Sequence, residues 1–237
     1  MTSPQAPRVA LLVRAVRAAC ADLEAAQDEL CRLDAVAGDG DAGFAMARAA
    51  KGLRAGLDTH PTLEVTQVLE LAAGQLAQVG GSMGALCYVL LDALANARPG
   101  TEEPLTASSI ASMLAIAEDA VCSFGGAHRG DKTIVDAIAG ARDAAEQLDS
   151  LTALQSLIHC AAGADKAAAA TAGMTAKIGR ASRLGDRSRG AVDAGARAFA
   201  IVLSALATTY AAEVAERSPG TQANDGAASP APSGTRS

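Results

Sequence analysis

Tryptophan is absent from the 237 residues, and the aromatic complement stops at two tyrosines and three phenylalanines. So few rings leave no stacking platform for single-stranded nucleic acid. They also weigh against a β-sandwich or barrel, whose strands favour aromatic and β-branched residues. Excess positive charge is missing too: the formal net charge is −6 and the isoelectric point lies near 5.1, which excludes non-specific binding to nucleic acid. Mean hydropathy is +0.19, yet polar residues interrupt each apolar run before a membrane span of roughly 20 residues is reached. No membrane association is expected. Arg14 and Arg17 break the N-terminal apolar cluster, which reads as an amphipathic helix and not a signal peptide. Cys20, Cys31, Cys87, Cys122 and Cys160 are odd in number and form no CxxC unit, the pattern of buried, reduced thiols in a cytoplasmic protein.

Alanine is present in quantity. It makes up about a quarter of the chain and is the strongest helix former. Hydrophobic periodicity predicts eight helical segments, at roughly 7–33, 43–57, 62–79, 82–97, 106–123, 131–148, 150–177 and 191–216. In the first, Val9, Leu12, Val16, Ala19, Leu23, Ala26, Leu30 and Leu33 recur at threes and fours and lay one apolar stripe along a helix. Thr62 and Thr106 stand at expected N-caps, while Gly100 and Pro104 break the chain between helices. No stretch alternates as a strand would. The expected organisation is a flexible N-terminus over 1–6, one all-α domain over 7–217, and a disordered tail rich in Pro, Gly, Ser and Ala over 218–237.

Three familiar motifs fail on context. Gly38-Asp-Gly40-Asp-Ala-Gly43 has the GxGxxG spacing of a dinucleotide fingerprint. It follows a helix and not a strand, and its aspartates repel a bare pyrophosphate. Gly80-Gly-Ser82-Met-Gly84 matches GxSxG. His128 or His159 would complete a triad with Ser82 on paper, but no strand leads into the turn. Gly125–Thr133 nearly matches a phosphate-binding P-loop, but Asp131 separates Gly130 from Lys132. As a glycine loop opening a helix, it still offers N–H groups and Lys132 to a phosphate.

The surviving constellation is complementary in charge. Asp34, Asp39 and Asp41 crowd one segment in which Gly38, Gly40 and Gly43 allow tight folding. A divalent cation relieves the repulsion among such carboxylates, and hard oxygen ligands suit Mg²⁺. A solvated acidic turn is the plain alternative. It is no EF-hand, because the twelfth position from Asp39 is Ala50. Across residues 177–195, Lys177, Arg180, Arg183, Arg187 and Arg189 outnumber Asp186. Arginine forks match phosphate oxygens, although an exposed basic loop has the same composition. Acidic ligands, glycine loops and arginines together describe a metal–polyphosphate site.

On LDAVAGDGDAGFAM (33–46), VGGSMG (79–84), GDKTIVD (130–136) and GRASRLGDRSRGAVDAGA (179–196), the chain resembles the nucleotide-binding L subunit of dihydroxyacetone kinases, the DAK2 or DhaL domain family. The likeness covers roughly residues 7–212. It implies an up-and-down barrel of about eight antiparallel helices, with glycine-rich loops at one end forming the nucleotide site. It places two Mg²⁺ ions on Asp34, Asp39 and Asp41. ADP or ATP would meet Ala42, Gly43, Phe44, Ala45, Ser82, Met83, Gly125, Ile134, Arg180, Asp193, Ala194 and Gly195, with Arg180 as the catalytic cation.

The function so implied is half of a two-component kinase that phosphorylates a small triose or tetrose hydroxyketone. The acceptor would be held on a separate K-type subunit, and ATP or a phosphotransferase-system protein would supply the phosphoryl group. The alternative is a catalytically weak regulatory or binding subunit of the same fold. It draws on three departures: where the family commonly reads GDxDHGxNM and GGxSG, this chain has Ala42, Ala45 and Met83.

Overall fold

The computed structural model describes residues 6–60, 62–97, 106–146 and 152–217. The ends of the chain, where a flexible start and a disordered tail are expected, lie largely outside the described residues. Among the described residues there is no strand and there are nine α-helices: α1 (Ala6–Ala25), α2 (Gln27–Asp34), α3 (Ala42–Thr59), α4 (Val65–Leu76), α5 (Gly81–Asn96), α6 (Ala107–Gly125), α7 (Ile134–Glu146), α8 (Ala153–Ala170) and α9 (Ala194–Arg217). Leaving aside the short α2, each helix packs on its chain neighbours, and α9 returns to pack on α1. The eight long helices therefore close into a ring.

Neighbours run antiparallel, as their ion pairs show: Arg17 meets Asp58 and Glu24 meets Arg54 across α1 and α3. Arg14 meets Glu213 and Glu29 meets Arg197 across the α1–α2 side and α9. Alanine makes the ring tight. Ala137, Ala141, Ala145, Ala164, Ala168, Ala196, Ala200 and Ala207 share one buried cluster with Ile110, Leu114, Leu157 and Leu203. Helices α7 and α8 touch backbone to backbone, since a β-carbon on Gly163 would lie 2.4 Å from the Gly140 carbonyl oxygen. Small side chains, not aromatics, set these contacts.

Several boundaries differ from expectation. The first helix bends at Ala26 (φ −83°, ψ 3°) into α2, which buries Leu30. Glu64, not Thr62, caps α4, in a box with Gln67. Thr106 caps α6 as expected, accepting from the Ser109 N–H at 3.1 Å. The seventh expected segment, 150–177, ends early, at Ala170. There the Thr171 carbonyl oxygen accepts from Met174 in a 3₁₀ turn at 3.0 Å and from Lys132 Nζ at 2.6 Å. Helices α6 and α9 are long and apolar enough to cross a membrane, with mean hydropathy 1.3 and 1.6. Both are staves of the ring.

Candidate functional site

Alternation of direction places four connections at one end of the ring: 35–41, 77–80, 126–133 and 171–193. All four contain glycine. The acidic loop is shaped by its own residues. The Gly38 N–H donates to the Asp34 carbonyl at 2.6 Å, and the Gly40 N–H donates to Asp34 Oδ2 at 2.9 Å. Gly40 is left-handed at φ 76°, which folds the chain back over the end of α2. A β-carbon at Gly38 would lie 2.2 Å from Asp34 Oδ1. The result is a trio: carboxylate oxygens of Asp34, Asp39 and Asp41 lie within 4.8 Å of one another. Asp41's carboxyl is held above the usual range, chiefly by the charge on Asp39. Asp39's is held below it, chiefly by its hydrogen bond from Arg180. Crowded hard oxygens of this kind fit Mg²⁺.

Arg180 arrives from the far side of the sequence. Its Nη1 and Nη2 donate to Asp39 Oδ2 and Oδ1 at 2.6 and 3.2 Å, a bidentate fork of the kind arginine offers to phosphate as well. The same guanidinium would lie 4.0 Å from a β-carbon on Gly81, so the α4–α5 connection adjoins it. Gly80 caps α5 and Ser82 is exposed in the first turn of that helix, where free N–H groups point outward.

The other residues proposed for nucleotide contact lie at the same end of the ring, some with only backbone to offer. Phe44 is 59% exposed. Ala42 is buried beside it, and Ala45 packs with Ala49 and Val79. Gly43 meets α2 so closely that a β-carbon would lie 1.9 Å from the Gln27 carbonyl oxygen. The Met83 side chain turns into the core formed with α1 and α3. Ile134 is buried at the start of α7, close to Gly195. Gly125 ends α6, Ala194 is buried, and Asp193 caps α9 by accepting from the Ala196 N–H at 2.8 Å.

Part of Asp193 reaches the surface, but its carboxyl is desolvated, and burial pushes it up to about 6. An unfolded aspartate titrates near ~4. The folded chain therefore binds the extra proton between those values, and stability falls as pH rises through them, by up to about 3 kcal/mol. Asn keeps the cap and removes the charge. Asp193→Asn should raise unfolding stability in denaturant at pH 7.5 and give no gain at pH 4. An equal gain at both would show that charge is not the cause.

In sequence, the glycine loop before α7 leaves Lys132 free to approach a phosphate, but the structure turns its side chain elsewhere. Lys132 is 6% exposed and left-handed at φ 62°, a conformation that costs a residue with a β-carbon roughly 1–2 kcal/mol. Its ammonium points inward, and desolvation lowers its pKa. Asp136, missed altogether, is also buried. It accepts from the Gly130 and Thr133 N–H groups at 2.5 and 2.8 Å and so builds the turn that carries Lys132. The motif GDKTIVD marked the segment, but no sequence pattern reveals which way its lysine faces.

Comparison with known proteins adds the following. The DAK2 domain family matches residues 36–208. An L-erythrulose 1-kinase of Mycolicibacterium smegmatis is 38% identical over 196 residues, covering 79% of this chain and 33% of that protein. The Triokinase/FMN cyclase of Homo sapiens is 33% identical over 207 residues, covering 84% and 34%. Among solved structures, the dihydroxyacetone kinase from C. freundii in complex with AMP-PNP and Mg²⁺ superposes with a TM-score of 0.63 at 27% identity, covering 84% of this chain and 34% of that one. The chain thus spans about a third of the length of the relatives it matches.

Proposed function

The chain belongs to the DAK2 domain family, and from that premise we propose that its loop end binds ADP or ATP with Mg²⁺ as the nucleotide half of a hydroxyketone kinase. The observation that carries this reading is the meeting of Asp34, Asp39 and Asp41 with Arg180 where the glycine loops converge. Asp34, Asp39 and Asp41 would hold one or two Mg²⁺ ions, which neutralise phosphate charge when bound. The open N–H groups in the first turn of α5 offer donors to phosphate oxygens. Arg180 neutralises charge developing on the transferred group, so positioning and electrostatics supply most of the catalysis.

The acceptor class follows from the relatives, whose names are erythrulose kinases, triokinases and a dihydroxyacetone kinase. A three- or four-carbon hydroxyketone, held on a K-type partner or domain, is the substrate that fits. Recharging of bound ADP by a phosphotransferase-system protein is a second route to the same phosphoryl group. One observation favours a weaker, regulatory role: Ala42 and Ala45 face the protein interior, where the family's common His and Asn would offer hydrogen bonds.

Thermal unfolding with nucleotide, with and without Mg²⁺, tests the reading. At 100-fold excess over Kd a ligand adds about 2.7 kcal/mol, or roughly 5–10 °C for a chain of this size. The shift should require both Mg²⁺ and nucleotide. No shift at millimolar Mg–ADP and Mg–ATP would overturn the nucleotide assignment. A shift without turnover beside a competent partner would favour the regulatory role.

A further inference from the structure

We propose that Lys132 is a positioning residue, a clasp that holds the arm 171–193 so that Arg180 stands over the aspartate trio. The part of this concerning Arg180's work rests on the function proposed above. Lys132 Nζ donates to the carbonyl oxygens of Thr171 and Ala191, at 2.6 and 2.5 Å. Those two residues are the feet of the arm, twenty positions apart in sequence, so a single ammonium ties both ends of the loop to the start of α7.

Neighbouring contacts close the same base. The Gly190 N–H donates to the Ala172 carbonyl at 2.8 Å, and the Asp193 N–H donates to Thr171 Oγ1 at 2.9 Å. On the outer side, Asp131 holds Lys177 twice. Its carbonyl accepts from the Lys177 N–H at 3.2 Å, and its carboxylate pairs with Lys177 Nζ at 3.3 Å. The dipeptide Asp131-Lys132 therefore grips the arm at 171, 177 and 191. Arg180 lies three residues beyond the last grip on the ascending side.

The arm beyond the grip is braced on itself. The Ala176 N–H donates to Ser188 Oγ at 2.9 Å, and Ser188 Oγ–H donates to the Gly185 carbonyl at 2.6 Å. It meets the acidic loop through Arg180 on Asp39. Fixing the base therefore fixes where the guanidinium lands. Among the described residues Lys132 makes no ion pair. Its hydrogen bonds go to two neutral carbonyls, the charges of Asp193 and Asp136 offset part of its desolvation, and its backbone is left-handed. A buried lysine so placed is costly to keep and persists where the surroundings demand it.

The test has two parts. Hydrogen–deuterium exchange on the nucleotide-free chain should show amides of 171–193 exchanging at least tenfold faster in Lys132→Met, with α1 and α3–α6 unchanged. Calorimetry of Mg–ATP binding then runs Lys132→Met alone and in an Arg180→Ala background. A loss of tenfold or more in the first and less than twofold in the second supports the clasp acting through Arg180. Unchanged exchange in the arm, or equal losses in both backgrounds, overturns it. Lys132→Gln keeps a neutral N–H₂ donor and, if the Met variant does not fold, should show exchange in 171–193 faster than wild type. Failure of both to fold would make Lys132 a general fold determinant and overturn the proposal. If the wild-type chain binds no Mg–ATP, the nucleotide reading falls, while the exchange result still decides whether the clasp exists.

Discussion

Asp39→Asn and Asp41→Asn are each expected to reduce Mg²⁺-dependent ADP binding at least 100-fold while leaving the helices intact. The affinity argument starts from charge. Asp34, Asp39 and Asp41 bring three carboxylates to one spot, and the repulsion that holds Asp41's proton more tightly than usual is what a divalent cation relieves. An amide offers neutral oxygen in place of the anion. A hydrogen bond to a charged group is worth roughly 1.5–3 kcal/mol, and a carboxylate that would hold the cation counts for at least as much. The fold argument starts from exposure. Asp39's side chain is half exposed, and Asp41 caps α3 without a side-chain hydrogen bond, so neither supports a helix.

Asp34 is the less clean choice, because its carboxylate also accepts from the Gly40 N–H and shapes the loop. Calorimetry in excess Mg²⁺ together with circular dichroism checks the prediction. If either variant binds Mg–ADP as tightly as wild type, the metal site is not this trio. Asp39→Asn carries a second consequence, since it releases Arg180 from its bidentate partner. Its effect should therefore exceed that of Asp41→Asn in any assay that reads phosphoryl transfer.

The helices and their loop end were legible because helical period and glycine placement are local properties. The stripe from Val9 to Leu33 marked a helical face even though the helix bends at Ala26, because hydrogen bonds continue through the bend from Ala26 to Asp22 and from Leu30 to Ala26. The aspartate trio was legible as well, since its residues lie within eight positions and glycines force them together. Distant events were not. Helix α8 stops at Ala170 in an alanine-rich run with no strong local breaker before Gly173. The carbonyl of Thr171 is engaged by a lysine 39 positions away, which no window of sequence contains. The same holds for Ala45. Next to the metal motif it reads as a truncated ligand contact, and no local window shows that it also packs against Val79 of another connection. A larger polar side chain there would have to displace the start of the α4–α5 connection.

Given ATP, Mg²⁺ and dihydroxyacetone or erythrulose, the 237-residue chain alone is expected to phosphorylate no sugar. A substrate-binding K-type partner should restore turnover by at least 1,000-fold. The loop end is open: the side chains of Asp39 and Arg180 are 50% and 60% exposed. An end this open leaves orientation of the hydroxyl to another surface, and orienting the second reactant is worth effective molarities of roughly 10⁵ M and above. The described residues form a groove of about 870 Å³ between α1, α2, α8 and α9. Its lining includes Ala200, Ser204, Ala207 and Thr208 and shares no residue with the four glycine-bearing loops, so it offers no acceptor site beside the aspartates. The relatives are about two and a half times as long as this chain, which leaves ample sequence in them for an acceptor site outside the matched third. A partner that covers the open end would both place the hydroxyl and exclude water, which otherwise competes for the phosphoryl group. A coupled assay for sugar phosphate with and without the partner decides the matter. Robust sugar phosphorylation by the isolated chain would mean that the acceptor binds here, and that the loop end closes around it in a way its exposed aspartate and arginine do not now show.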